Sequence, residues 1–131
     1  MTNLCLCQSG ELYKSCCRPF HNGRRRPKPV ELMRSRFAAY ALGKVGYVVK
    51  TEHPQSPRRQ QDSVTFRKEI KQFCEQTTFV GLQILDSVTL SEMEATVTFH
   101  AVLLQDGKDV SFTECSLFRR GNGRWLYVKP K

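Results

Sequence analysis

From Leu32 to Ala41 apolar residues return every third or fourth position, as Leu32, Met33, Phe37, Tyr40 and Ala41. That period lays a stripe along one side of a helix. Pro29 suits a first helical turn, Glu31 sits where the dipole favours an acid, and Gly43 supplies a stop, so a helix is expected over Pro29 to Gly43. Arg34 and Arg36 are unusual inside such a pattern. A second, short helix is expected over Gly46 to Glu52 through Tyr47, Val48 and Val49, followed by a turn-rich break from His53 to Arg59. Asp62 or Ser63 caps a third helix running to about Gln76, with Phe66, Ile70 and Phe73 on one face. Cys74 beside them reads as a small buried hydrophobe.

After Thr77 the period changes to two. Phe79 to Leu90 forms one expected strand and Ala95 to Leu104 a second, with Val97, Phe99, Ala101 and Leu103 on one face. Asp106-Gly107 is a hairpin turn, Val110 to Arg120 a third strand, and Gly121-Asn122-Gly123 turns into Arg124 to Val128. Helices first and an antiparallel meander afterward give an α+β fold, with a strongly curved sheet wrapped around helices. Phe118 and Trp125 are expected to be buried against the Pro29 helix.

The segment before Pro29 has no such periodicity. It has chemistry instead: four of the chain's six cysteines lie at Cys5, Cys7, Cys16 and Cys17. A soft divalent ion takes four thiolates at tetrahedral corners. One C-x-C pair from a tight turn and one adjacent pair at the start of a short helix meet that need, with Gly10 providing the bend. Zinc is the expected ion and iron the alternative, since both suit an all-sulfur shell. Disulfides fit poorly, because adjacent Cys16 and Cys17 pair only through a strained ring. With no apolar leader at the N-terminus, the expected setting is the reducing cytoplasm.

The run Cys5-x-Cys7-x-Ser9-Gly10-x-x-Tyr13-Lys14-x-Cys16-Cys17 resembles the SEC-C motif. Gln8 stands where that motif usually has glycine, so a positive φ is expected there. The Ser9 hydroxyl is expected to bond a thiolate or the backbone rather than the metal. Further along, Leu32-Met33-Arg34-Ser35-Arg36-Phe37-x-Ala39-Tyr40, Gly81-Leu82-x-Ile84-Leu85, Glu114-x-Ser116-x-Phe118 and Gly123-Arg124-Trp125-x-Tyr127-Val128 are similar to the YchJ-like family of bacterial proteins. The resemblance implies an N-terminal SEC-C knob, residues 1–28 with a basic linker, joined to a cone-shaped nuclear transport factor 2-like domain over 29–131. It implies a fold and a metal site without implying a reaction.

Charge adds a direction. The net +9 is uneven: residues 1–28 carry six Lys/Arg against Glu11 alone, or +5, leaving +4 for the rest. Residues 18 to 29 hold three prolines and a glycine and are read as a basic linker without regular helix. His21 reads as free or as an outer neighbour of an already complete four-cysteine shell. Tyr13, Lys14, Arg18, Arg24, Arg25 and Arg26 form the expected partner-binding set. As the motif resemblance implies, the partner is an acidic surface such as a chaperone or a ribosome-associated factor. Nucleic acid ranks behind it, because aromatics are not interleaved with the charge beyond Tyr13 and Phe20. No run is long enough for a membrane span.

A cone-shaped domain also has an interior. Its candidate lining is Arg36, Tyr40, Glu114 and Ser116, with Glu114 expected to pair with Arg34 or Arg36 from the helix. His100 falls on the opposite face from Phe99 and is expected to be exposed. A closed four-thiolate shell leaves no position for water. No nucleophile, base and orienter stand at suitable spacing either, so no catalytic residue is assigned and the chain reads as a non-enzyme. A small-molecule binder or enzyme using the cone is the alternative to the interaction module.

Overall fold

The computed structural model describes residues 3–131. Four helices precede the sheet: α1 Arg18–His21, α2 Pro29–Leu42, α3 Val45–Lys50 and α4 Ser63–Gln76. The strands are β1 Thr78–Thr89, β2 Glu94–Gln105, β3 Lys108–Asp109, β4 Phe112–Gly121 and β5 Arg124–Pro130. They pair antiparallel in the order β1-β2-β4-β5, with β3 added to the end of β2. This is the expected α+β arrangement, an unclosed curved sheet carrying its helices.

Local chemistry sets the boundaries. The Glu31 carboxylate accepts the Lys28 backbone N–H at 3.0 Å, and Gly43 ends α2 at φ 73°. Asp62 caps α4 by accepting from Thr65 N at 3.1 Å. Asp106 and Asn122 adopt φ 51° and 54°, each followed by a left-handed glycine, giving two tight hairpins. Shifts of register at Val80 and Leu85 bend β1 and turn both side chains outward.

Two expectations change here. The strand expected from Val110 is interrupted: Ser111 N donates to Asp109 Oδ1 at 2.8 Å, and Ser111 Oγ accepts from Leu103 N at 3.0 Å. A side chain there replaces the ladder, so a two-residue β3 precedes β4. The basic linker does contain a helical turn, α1, because Pro19 falls in the first turn, where its missing N–H costs nothing.

α2 lies at the centre of the molecule. Leu32, Met33 and Phe37 face the sheet and pack with Val97, Phe99, Leu103, Phe118 and Trp125, so Phe118 and Trp125 are buried where expected. Ala39 belongs to a second cluster with Phe20, Tyr47, Val48, Phe66 and Ile70 from the other helices. Ala38 belongs to a third, with Cys5, Cys7 and Cys17. A helix covered on three sides leaves only a narrow solvated strip, at Glu31, Arg34 and Leu42, so Ser35 and Arg36 are buried with it.

The free edge of β5 is covered by a segment rather than a strand. His53 N donates to Tyr127 O at 2.7 Å and Tyr127 N to Thr51 O at 2.8 Å. This parallel bridge protects the edge and delivers Glu52 to the interior.

Candidate functional site

The N-terminal knob is built on a small antiparallel bridge between Leu4 and Leu12. Cys5 N donates to Glu11 O at 2.7 Å and Tyr13 N to Asn3 O at 2.9 Å, closing the loop that carries the first two thiols. The turn needs two left-handed residues, Gln8 at φ 68° and Gly10 at φ 87°. Gln8 therefore adopts the glycine-like backbone expected of it. After a 3₁₀ turn over Tyr13–Ser15, Cys16 and Cys17 lead directly into α1.

The four sulfur atoms lie within 4.8 Å of one another. Cys7 Sγ is 3.5 Å from Cys16 Sγ, and Cys16 Sγ is 3.9 Å from Cys17 Sγ. With zinc–sulfur bonds near 2.3 Å, the edge of a tetrahedral thiolate cage is about 3.8 Å. The donor set thus fits a soft divalent ion in number, element and spacing. All four cysteines are unpaired as disulfides, and Cys5, Cys7 and Cys17 are buried. Glu11 N donates to Ser9 Oγ at 3.2 Å, so the Ser9 hydroxyl proton is left to point at Cys16 Sγ, 3.1 Å away. Ser9 thus bonds both a sulfur and the backbone.

The electrostatics of the bare thiols point the same way. Hydrogen bonding from Cys17 holds the Cys7 thiol down to about 4. Burial pushes Cys16 up to about 11, and the bond to Cys7 pushes Cys17 higher still. One thiolate suppresses its neighbours, and a bound divalent cation would let all four ionise together.

The knob is fastened to α2 by three further contacts. Arg34 Nη1 donates to Cys7 O at 2.9 Å, and Ala38 packs beneath the thiols. His21 Nε2 lies 2.8 Å from Ser35 O, a carbonyl that only accepts, so Nε2 carries the proton. Nδ1 then accepts from Tyr13 OH at 2.7 Å. His21, read from sequence as free or an outer neighbour, is a fixed link between knob and helix. Burial lowers its proton affinity and keeps it neutral in that role.

The expected partner-binding residues divide by exposure. Lys14, Arg18, Arg24, Arg25 and Arg26 are exposed, with the Arg25 guanidinium 5.6 Å from the Phe20 ring centroid. Tyr13 is half-buried and its hydroxyl is committed to His21. Leu4, Leu6, Leu12 and Leu42 are exposed nearby, and a shallow depression runs between Leu4, Leu6, Tyr13 and Leu42.

Arg36, Tyr40, Glu114 and Ser116 all line one cavity of about 590 Å³ between α2, α4 and the sheet. His100 sits outside it, half-exposed, with Nδ1 2.8 Å from Thr113 Oγ1. The ion pair expected at Glu114 is elsewhere. Arg36 Nη2 donates to Glu52 Oε1 at 2.5 Å, and Arg58 Nη2 donates to the same oxygen. Glu52 Oε2 accepts from Ser56 Oγ at 2.6 Å. Burial alone would raise the Glu52 carboxyl, but Arg36, Arg58 and Ser56 together hold it below its ordinary value. Glu114 Oε2 accepts instead from Ser116 Oγ and from Tyr127 OH at 3.0 Å. Burial, then the Glu114 charge, pushes the Tyr127 hydroxyl well above the usual range, so Tyr127 remains a donor.

Glu52 and Arg58 are residues that sequence reasoning missed. The available signal was Arg36 itself, since a cation within the apolar pattern of a core helix requires a buried acid.

A family model for "YchJ, middle NTF2-like domain" matches residues 28–130, and a SEC-C motif model matches residues 1–19. The chain belongs to the YchJ family. Similar family members include a UPF0225 protein of Actinobacillus succinogenes, 36% identical over 98% of this chain and 81% of that one. Another, from Deinococcus radiodurans, is 37% identical over 95% of this chain and 85% of the relative. A SEC-C motif containing protein from Rhodopseudomonas palustris superposes with a TM-score of 0.82 at 33% identity, over 100% of this chain and 98% of that one. One from Psychrobacter arcticus gives 0.77 at 27%, over 100% and 82%. The SEC-C match and the four-cysteine cluster together make this YchJ-family chain a candidate metal-binding protein.

Proposed function

We propose that the chain is a zinc-binding interaction protein whose SEC-C knob docks an acidic protein partner, of the kind a chaperone or ribosome-associated factor presents. The observation that carries this reading is the coincidence of the thiol cluster with exposed charge and exposed leucines. Lys14 and Arg18 flank Cys16 and Cys17 in sequence, the Arg24–Arg26 run follows α1, and Leu4, Leu6 and Leu12 stand out from the bridge that carries Cys5 and Cys7. Zinc fits the all-sulfur donor set and has no redox chemistry of its own, so its part is to fix the shape of this face. Arginines then attract the acidic partner at a distance, and the leucines give an apolar centre that holds it.

The test starts from full-length, metal-loaded protein used to capture partners from a bacterial lysate, followed by binding measurements with each identified partner in purified form. The triple variant Arg24→Ala/Arg25→Ala/Arg26→Ala is expected to bind the purified partner about tenfold more weakly at low salt, with the difference shrinking as salt rises. Chelation is expected to abolish binding. A captured partner that binds the chelated protein and the triple variant with unchanged affinity would sink the reading.

A further inference from the structure

The 590 Å³ cavity is the size of a small-molecule site, and its walls are selective. Its apolar lining is dominated by aromatic rings: Phe37, Phe73, Phe79, Phe99 and Phe112, with Tyr40. Phe79 meets Phe37 at 5.7 Å and Phe73 at 5.9 Å between ring centroids, both edge to face, while Phe112 meets Phe99 at 5.7 Å. Such rings lock one another's orientation and present flat faces and edges to whatever enters.

The polar groups are fewer and mostly spent. Arg36 and Arg58 are turned toward Glu52, which is wholly buried between them. Arg36 Nη1 also donates to Val48 O at 3.0 Å and to Thr51 Oγ1 at 2.7 Å. The Ser116 and Tyr127 hydroxyl protons both go to Glu114 Oε2. Glu114 Oε1 has no hydrogen-bond partner among the described residues, and no cation pairs with this carboxylate. Glu69 and Lys129, both exposed, stand at the cavity wall with opposite charges. Beside the cluster in which Arg36 and Arg58 share the one carboxylate of Glu52, what the cavity offers is a carboxylate with a free oxygen, Glu114, among aromatic rings. The register explains its position: Glu114 pairs with Phe99 across β2 and β4, two residues from both Phe112 and Ser116 on the same face.

We propose that this cavity binds a small aromatic amine or nitrogen heterocycle, with the N–H group donated to Glu114 Oε1 and the ring system enclosed by the phenylalanines. An aromatic carboxylate of the same size is disfavoured, because it brings like charge to Glu114, while Arg36 is held by Glu52, Val48 and Thr51 and only the outer N–H groups of the 40% exposed Arg58 are left to attract it. This site is independent of the metal knob.

The probes are tryptamine and indole-3-acetate, which share one ring and differ in side-chain charge. They are titrated into the full-length metal-loaded protein and followed by backbone amide chemical shifts. Tryptamine is expected to move the resonances of Phe99, Ala101, Phe112, Glu114 and Tyr127 and to bind at least about tenfold more tightly than indole-3-acetate. Glu114→Gln is expected to bring the two affinities to within about threefold. Ala101→Leu, which adds bulk to the cavity wall, is expected to weaken both. Should Glu114→Gln fail to fold, the affinity ratio in the unaltered protein decides the matter. Equal or tighter binding of indole-3-acetate, shifts confined to surfaces outside the cavity, or no tryptamine binding at millimolar concentration would each overturn the proposal.

Discussion

Arg36 and Glu52 form an ion pair sealed from solvent, with side-chain exposures of 3% and 0% and 2.5 Å between Nη2 and Oε1. The pair ties the central helix to the segment that covers the edge of β5, and the Arg36 guanidinium also lies 4.6 Å from the Tyr127 ring centroid. Removing one member of such a pair leaves a buried charge without compensation. Glu52→Gln is therefore expected to destabilise the protein by about 3 to 5 kcal/mol, read as a shift in the urea unfolding midpoint. Glu114→Gln alters hydrogen bonds rather than a buried ion pair and is expected to cost only about 1 to 2 kcal/mol. Equal effects of the two changes would contradict this assignment of the ion pair.

The same carboxyl sets a pH dependence. Glu52 is held below its ordinary value of 4.5 in the folded protein. A depressed carboxyl contributes stability that is complete above its unfolded value and is lost as pH falls through the folded one. Unfolding free energy measured between pH 6 and pH 3 should therefore drop below about pH 4.5, and Glu52→Gln should drop less steeply. Parallel curves for the two proteins would mean that another carboxyl controls the acid limb.

Much of this is legible in the amino-acid sequence. The helix expected over Pro29 to Gly43, found over Pro29–Leu42, and the turns expected at Asp106-Gly107 and Gly121-Asn122-Gly123 all follow from residues whose backbone preferences act locally. The thiol cluster was equally plain, because its spacing lies within one short stretch of chain. The partner of Arg36 was not. It depends on Thr51–His53 lying parallel to β5, a pairing between positions about 75 residues apart that no local period encodes. The pairing of a buried cation is a tertiary fact, and sequence pattern offered Glu114 as an acid that faces the same interior. The helical turn α1 departs from the linker expectation for a smaller reason: of the three prolines, Pro19 lies where a helix tolerates one.

Trp125 gives a third expectation. It is 9% exposed, packs in the cluster formed by α2 and the sheet, and has the Arg120 guanidinium 4.6 Å from its ring centroid. Trp125→Ala should cost about 3 to 5 kcal/mol, as for other buried large aromatics. An unchanged unfolding midpoint would place the ring outside the core.

The last expectation concerns Ala38, which joins the metal knob to the fold. Its side chain is fully buried against Cys5, Cys7 and Cys17, one turn from Arg34, whose guanidinium holds the Cys7 carbonyl. The thiols sit in position partly because nothing larger than a methyl group rises beneath them. Ala38→Leu should overpack this contact, costing about 1 to 3 kcal/mol, and should lower the metal bound per chain in elemental analysis. Chelation of the unaltered protein should act in the reverse direction, speeding amide exchange over Arg34 to Ala38 while the β2 and β4 amides stay protected. A knob independent of the fold would behave otherwise: Ala38→Leu would keep a full complement of metal, and chelation would leave exchange in α2 unchanged.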